Sequence, residues 1–529
     1  MWYRIFISLL IILFLCSCVK ESDSSTKGAT IQASENTGKK VMVVMIDSMT
    51  SELIDKGISE GRTPALAFLK ENGKVFDDLI APFPSMSVVI ESSLLTGVGP
   101  NAHHVPGLIW YHPNEERLVD YGSTIPRTLK LGTKQVVQDG LNHLNNFHLN
   151  PKIDTIYDEL AKQNRSTGSV NMLLYRGPKK HILHVPPFVS ESLHMEKSII
   201  TKGPDLLSFG QLVKPDAVKD RSLPDHLYEK YGLNDQYSVN VVQSLIQSEQ
   251  QPDFLMAFLP DFDTEAHVHG PHYLDGFARA DYQLQTILNS YDSWEQALED
   301  TIFIILGDHN QVLLHDKGEH TAIELEALLE PWSIAELLDG PKNSDLIIAN
   351  NHRMAYIHRI NPNIHLKEIA DPLLNDDRID HIAWRENNRT LIQSSHVQNT
   401  LTFTPNGPWT DEYGQTWHLE GDPNVLDLTL NDKEKTITFG QYPDGLEQMD
   451  SALKSQDAAL IVTARPGYTL KTEDAPVHYG GGEHGGFHQD DTRAALLVAG
   501  TDHYPEFRRI RDLKDYFISL FQEEIEPKG

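Results

Sequence analysis

The stretch Thr-Ile-Phe-Ile-Ile-Leu-Gly-Asp-His, residues 301–309, restricts the possible folds more than any other part of the chain. An unbroken apolar and β-branched run reads as a fully buried strand. It stops at Gly307, where the backbone can turn. Asp308 and His309 then project from the strand's carboxyl end, the place where open α/β sheets put their chemistry. A carboxylate and an imidazole side by side suit zinc, with manganese as the second candidate. A lone Gly-Asp-His turn decides nothing, because many such turns hold no metal. Three further segments carry complementary ligands in the same kind of place.

The first is Val41-Met-Val-Val-Met-Ile-Asp47-Ser48, again a buried-type strand running into a carboxylate. The second is Leu255-Met-Ala-Phe-Leu-Pro-Asp261-Phe-Asp263-Thr-Glu-Ala-His267-Val-His269-Gly-Pro271. Asp263 and His267 are four apart, so a helical turn puts both on one face within reach of one ion. The third is His478-Tyr-Gly-Gly-Gly-Glu-His484-Gly-Gly-Phe-His488, in which five glycines flank His484. Glycine suits a loop whose backbone must press close to an ion or a phosphate. Asp47, Asp308 and His309 make one three-ligand set; Asp263, His267 and His484 make another. Two sets with open positions describe a catalytic two-metal centre better than a structural site, which is closed and usually rich in cysteine. His269, His272 and His488 are read as surrounding or surface residues.

A hydrolase of this kind needs a nucleophile. The segment Ala81-Pro-Phe-Pro-Ser85-Met-Ser87-Val-Val-Ile-Glu91-Ser-Ser-Leu-Leu-Thr96-Gly97 offers two. The prolines hold an extended approach, and a short helix follows, ending at Gly97. Ser87 falls at its amino end, where unpaired N–H groups and the helix dipole favour an anion. An N-capping role for Ser87 is the simpler alternative, and Ser85 stays open as the rival nucleophile.

With these pieces in place, the chain resembles the type I phosphodiesterase and nucleotide pyrophosphatase family of the alkaline phosphatase superfamily. The matching motifs are Met45-Ile-Asp47, Phe83-Pro-Ser-Met-Ser87 with Leu95-Thr-Gly97, Asp263-x-x-x-His267-x-x-Gly-Pro271, Gly307-Asp-His309 and Glu483-His-Gly485, in the family's order. The resemblance implies that Asp47, Asp308 and His309 bind the ion that also holds the nucleophile. Asp263, His267 and His484 would bind the second. Ser87 aligns with the nucleophile and would itself touch metal. Two divalent ions, zinc with manganese as the alternative, a phosphoseryl intermediate, and phosphodiester or pyrophosphate substrates follow from the same likeness. One departure stands out. Better-known relatives carry Pro-Asn-His just after the nucleophile, and that asparagine helps hold the phosphate. Here the aligned residues are Val89, Ile90 and Glu91. Asn171 and Arg176, in Ser169-Val-Asn-Met-Leu-Leu-Tyr-Arg-Gly177, are the candidate substitutes.

Nearly the same metals would serve a phosphomonoesterase, a phosphonate hydrolase or a sulfatase. The sulfatase signature Cys/Ser-x-Pro-x-Arg is absent around Ser87. A lipid-anchored binding protein with a decayed site is the non-enzyme alternative, opposed by the complete ligand set.

The amino end reads Met-Trp-Tyr-Arg and then an apolar run over residues 5–15, too short for an ordinary membrane span. It ends in Leu15-Cys-Ser-Cys18, which resembles a bacterial lipobox. That implies a lipoprotein signal peptide over residues 1–18, acylation (palmitate included) at Cys18, and attachment outside the cytoplasmic membrane. An uncleaved anchor or a plain secretory signal is the alternative, since Arg4 is the only charge ahead of the run. Residues 19–40 read as a flexible tether. Both cysteines of the chain lie in the signal segment, so the mature part has no disulfide. A net charge of −30 argues against nucleic acid or an anionic membrane surface as partner. A small phosphoric ester is the expected substrate.

Strands are expected at 41–46, 169–174, 254–259, 301–306, 458–463 and 494–498. Helices are expected at 63–72, 153–163, 234–248 and 273–289. The alternation predicts an α/β fold, a doubly wound and largely parallel sheet sandwiched by helices; the resemblance makes it alkaline phosphatase-like. The catalytic core is expected over residues 41–310 and 454–529. The β-rich interval 311–453 reads as an inserted cap.

Overall fold

The computed structural model describes residues 38–522 apart from 220, 317–319, 337–340, 342–343, 457, 474 and 476. The signal segment, Cys18 and nearly all of the tether lie outside these residues. Among the described residues no helix is long and apolar enough to cross a membrane.

The central sheet has seven strands: β1 (Lys40–Ile46), β2 (Gly73–Ile80), β3 (Thr167–Val170), β4 (Leu206–Ser208), β5 (Phe254–Leu259), β6 (Thr301–Leu306) and β7 (Arg493–Ala499). Their order across the sheet is β2-β7-β6-β1-β5-β3-β4. β1 lies parallel to both β5 and β6, and β3 and β4 continue the parallel set. Only β7 runs against its neighbours. The alternation of side chains along β1 explains the layers. Met42, Val44 and Ile46 face one buried cluster with Leu66 and Phe277. Val41, Val43 and Met45 face another with Leu94, Tyr157 and Phe517. Helices therefore cover both faces, as a strand apolar on every residue requires. Each such side chain contributes roughly 1.5–3 kcal/mol by leaving water.

The register of the three middle strands places the chemistry. Met45 pairs with Leu306, and Ile46 pairs with Leu259. The strands end almost in step, so the residues that follow them emerge together at one edge of the sheet. This is the alkaline phosphatase-like arrangement.

A second sheet of nine strands, mostly antiparallel, forms the inserted lobe. It has apolar clusters of its own on each side, one including Tyr356, Phe403 and Trp417, the other Ile357, Ile369 and Ile382. Here the sequence reading needs a correction. The strand expected at 458–463 appears as Ala459–Ala464, but it sits inside the lobe, between Met354–Arg359 and Ile379–Glu386. A strand buried on both faces looks the same in sequence whichever core covers it, so the lobe extends past residue 453. The lobe is tied to the core by Arg353, which is fully buried. Its guanidinium meets Asp491 (Nε to Oδ1 2.8 Å, Nη2 to Oδ2 3.2 Å) and donates to the carbonyls of Ala464, Arg465 and Tyr468.

Candidate active site

β1 delivers Asp47, whose N–H bonds the Leu259 carbonyl at 3.1 Å. Ser48 follows with a left-handed backbone, φ +63°. Its N–H donates to Asp308 Oδ1 at 3.0 Å and its hydroxyl to Asp263 Oδ1 at 2.9 Å, linking two ligand sets. β6 delivers Asp308 and His309 through Gly307, where a Cβ would collide with the Met49 carbonyl oxygen. After β5 the chain enters the helix Asp261–His269, which carries Asp263 and His267 one turn apart. The glycine-rich loop supplies His484, whose ring lies flat against His309 (centroids 3.9 Å, planes 15° apart).

The first ligand set closes on itself. His309 Nε2 lies 3.5 Å from Asp47 Oδ1 and 3.4 Å from Asp308 Oδ2. All three atoms are buried and have no hydrogen-bond partner among the described residues. In the second set, His267 Nε2 lies 3.4 Å from Asp263 Oδ2, and His484 Nε2 lies 4.0 Å from Asp263 Oδ1. Ligand atoms of Asp263, His309 and His484 fall within 4.8 Å of one another, whereas His267 groups instead with His478 and Glu483, so the expected second set is divided between two neighbouring clusters. The far nitrogens of the rings are held by carbonyls: His484 Nδ1–H donates to Ser85 at 2.6 Å and His267 Nδ1–H to Gly482 at 2.8 Å. That leaves each Nε2 turned inward, the usual way a ligating imidazole is oriented; burial would lower His267, but Asp263 and Glu483 raise it to about 9.

The electrostatics call for cations. Burial, then Asp263 and Asp308, drive the Asp47 carboxyl well above the usual range. Burial pushes Asp308 up to about 6, against the pull of the Ser48 N–H. Burial lowers His309 to about 4. Burial would raise Asp263 as well, but His267, His484 and His309 reverse this and hold it well below its ordinary value. Acceptor-only atoms crowded together without donors fit divalent ions of the zinc type, which supply the missing positive charge.

Ser87 begins the helix Ser87–Thr96, with Met86 as the N-cap residue, so the capping alternative for Ser87 does not hold. The helix is buried all round from Val88 to Thr96. Ser85 is committed elsewhere. Its hydroxyl accepts the Gly485 N–H at 2.9 Å and donates to the Gly486 carbonyl at 2.9 Å. Glu91, on the same helix, accepts the Leu174 N–H at 2.9 Å, and burial lifts its carboxyl well above the usual range.

Asn171 and Arg176 need correction as phosphate holders. The Asn171 amide donates to the Gly232 carbonyl at 2.8 Å and the Ser238 hydroxyl at 2.9 Å, while its oxygen accepts the Gly210 N–H at 2.9 Å. Both amide hydrogens are spent. Arg176 donates to the carbonyls of Leu149 and Ile153, each at 2.7 Å, and anchors that loop. Polar residues after a strand look alike in sequence whether they bind a ligand or a neighbouring loop. His269 stacks on Tyr273, and His488 caps a short helix by accepting the Asp490 N–H at 3.2 Å; neither joins a ligand group.

Sequence reasoning missed four contributors: Ser48, Gln311, His352 and the role of Glu483. Gln311 donates to the Ser48 hydroxyl at 3.1 Å and to the Asp263 carbonyl at 3.3 Å. The only signal for Gln311 is its place two residues after His309.

The profile of the type I phosphodiesterase / nucleotide pyrophosphatase family matches residues 41–487. The chain belongs to this family. Its members hydrolyse phosphoester bonds and depend on metal, in keeping with the ligand clusters above. No curated protein matches the sequence. Solved structures do. One is murine ectonucleotide pyrophosphatase / phosphodiesterase 5, an inactive variant in complex with AMP, at TM-score 0.52 and 12% identity, covering 93% of this chain and 97% of that one. The human counterpart matches at TM-score 0.52 and 14% identity, with coverage of 93% and 97%. Phosphonoacetate hydrolase from Sinorhizobium meliloti 1021, in complex with phosphonoformate, matches at TM-score 0.52 and 14% identity, with coverage of 93% and 99%. At such identities the likeness is one of fold.

Proposed function

We propose that this chain is a two-metal phosphoric-ester hydrolase that cleaves phosphodiester or pyrophosphate bonds through a phosphoseryl intermediate on Ser87. The observation that carries the reading is the convergence of Asp47 Oδ1, Asp308 Oδ2 and His309 Nε2, three buried acceptors without donors, beside the second set on Asp263. Asp47, Asp308, His309 and the Ser87 oxygen would hold one ion; Asp263, His267 and His484 would hold the other. Bound there, divalent ions lower the pKa of a serine hydroxyl and neutralise charge on phosphoryl oxygens.

The chain's own residues do the rest. Ser87 Oγ attacks phosphorus in line, and the bond to the leaving oxygen breaks. The N–H groups at the very start of the ten-residue helix Ser87–Thr96, on Ser87 and Val88, would meet the phosphoryl oxygens; those of Val89 and Ile90 already bond the Met86 carbonyl. Ser85 keeps the start of that helix fastened to the His484 loop. Water then attacks the phosphoserine and the P–Oγ bond breaks, returning Ser87. The AMP and phosphonoformate of the structural neighbours support a small phosphate-bearing substrate. The lipobox-like Leu15-Cys-Ser-Cys18 supports an enzyme held by lipid outside the cytoplasmic membrane.

Turnover of bis-p-nitrophenyl phosphate against p-nitrophenyl phosphate tests the reading. The diester should be the faster substrate of the zinc- or manganese-loaded protein. A preference for the monoester would make it a phosphomonoesterase, and turnover of neither would sink the proposal.

A further inference from the structure

Residues 179–203 form a unit that the proposed mechanism does not use. Two strands, Lys179–His184 and Ser198–Gly203, pair antiparallel in a ribbon of their own. One face of the ribbon turns inward. Leu183 and Ile199, directly opposite each other, join Tyr175 and Phe209 in a buried apolar cluster. Side chains alternate along a strand, so the other face carries Lys180, Ile182 and His184 from the first strand and Ser198, Ile200 and Lys202 from the second. All six are exposed. Their register sets Lys180 opposite Lys202 and Ile182 opposite Ile200.

The lysine row works against the ribbon. Like charges directly opposite destabilise a ladder, where one charge of each sign would support it. Ile182 and Ile200 are 39% and 59% exposed, so much of their apolar surface stays in water. The segment joining the strands adds Phe188, 43% exposed. The Ile200 carbonyl accepts the Asn146 amide at 3.1 Å, and the next residue, Phe147, is 64% exposed. Single exposed apolar residues are ordinary; several gathered in one place mark a contact surface.

The charge of the face narrows what it contacts. The chain has 75 acidic and 45 basic residues, yet these six positions hold two lysines and no acid. The acids in and next to the unit are Glu191 and Glu196, in the joining segment, and Asp205, which Lys179 meets at 3.5 Å. We propose that this face docks on a lipid surface with anionic headgroups: Ile182 and Ile200 enter the boundary between headgroups and acyl chains, and Lys180 and Lys202 meet the phosphates. The net charge of −30 turns the protein as a whole away from such a surface, so a face with cations and no acid is the one that can approach it. On the lipoprotein reading, from which the inference borrows only the tether, Cys18 sits in the same surface. Residues 19–40 span at most about 75 Å. That reach lets the protein turn, and it keeps the ribbon at a high effective concentration near the bilayer, so a weak contact is enough to fix the orientation.

The test is amine acetylation of the full chain, reconstituted through its own amino terminus into vesicles, with each lysine read by mass spectrometry. Lys180 and Lys202 should react about fivefold more slowly in phosphatidylcholine vesicles that contain phosphatidylglycerol than in phosphatidylcholine alone. The exposed Lys56 and Lys433 should react alike in both. Lys202→Glu sets opposite charges across the ribbon, so it should hold or raise the melting temperature while Lys180 loses its protection. Ile182→Ser combined with Ile200→Ser should also remove the protection, with turnover of bis-p-nitrophenyl phosphate in detergent unchanged. Equal reactivity in the two lipids overturns the inference, as does protection that survives both variants. So does protection that appears in detergent without lipid, which would make a second copy of the chain the occupant. A native terminus without lipid refutes the lipoprotein reading alone; vesicles added in excess to the same protein then decide the docking by the same comparison.

Discussion

The Ser85 hydroxyl accepts the Gly485 amide at 2.9 Å, four hundred residues further along the chain. This bond separates the two candidate nucleophiles by function. Ser85 fastens the loop bearing His484 to the start of the helix, which leaves Ser87 as the proposed nucleophile. Ser87→Ala should keep both ions and lose turnover by several orders of magnitude, because the covalent step disappears. Ser85→Ala should instead cost about 1–3 kcal/mol of stability and weaken the ion held by His484, because a buried N–H is left unpaired. Acid-quenched enzyme should carry phosphate on Ser87. Phosphate mapped to Ser85, or near-normal turnover by Ser87→Ala, would contradict this division.

Asp308→Asn removes charge from the most enclosed part of the site. One ion should be lost and activity should fall by about a thousandfold or more. Elemental analysis that finds the wild-type ion count in this variant would refute the assignment.

His358 and His103 predict the acid sensitivity of the fold. Burial lowers each to about 3, so both are neutral in the folded chain at neutral pH. Unfolded histidine titrates near 6.5, so their contribution is complete above that value and drains away as pH falls toward 3. His358 Nε2 has no hydrogen-bond partner among the described residues. His358→Leu should narrow the gap in stability between pH 8 and pH 5 by about 2 kcal/mol. Calorimetric melting at both pH values measures this, and parallel pH profiles for the two proteins would rule it out.

Arg353 and Asp491 join lobe to core through a pair that is 0% exposed on both sides. Removing one partner strands a buried charge, so Arg353→Met should cost about 3–5 kcal/mol. Adding Asp491→Leu should recover much of that loss. A melting temperature unaffected by the single change would show that the pair does not bind the two parts together.

Acylation at Cys18 is checked by mass spectrometry of the native amino terminus. The lipid should be present in the wild type and missing from Cys18→Ala. An unmodified native terminus would remove the lipoprotein proposal.

Much of the candidate site was legible because its candidate ligands sit at positions that sequence marks clearly. Asp47 and Asp308 end apolar strands, Asp263 and His267 share a helical face, and glycines surround His484. Five of the seven central strands were readable for the same reason; Gly73–Ile80 and Leu206–Ser208 were not. What escaped depends on contacts across the fold. Nothing near His352 announces that it meets Glu483, 131 residues away. Ser48 looks like an ordinary turn residue until Asp263 and Asp308 are both beside it. Asn171 and Arg176 invited a phosphate role by composition, and their partners in loops distant in sequence assign them a structural one. The strand Ala459–Ala464 was placed in the wrong sheet because periodicity reports burial, not which core does the burying.

The lobe interrupts the core between β6 and β7, and that order of segments has a consequence for biogenesis. Asp47, Ser87, Asp263 and Asp308 are all made before the lobe, but His484 and the strand that flanks it come after. A chain emerging from its amino end carries an incomplete centre until almost the whole polypeptide is available. On the proposed assignment, no partial chain holds a complete centre, and the last core segment to arrive is the one that completes it.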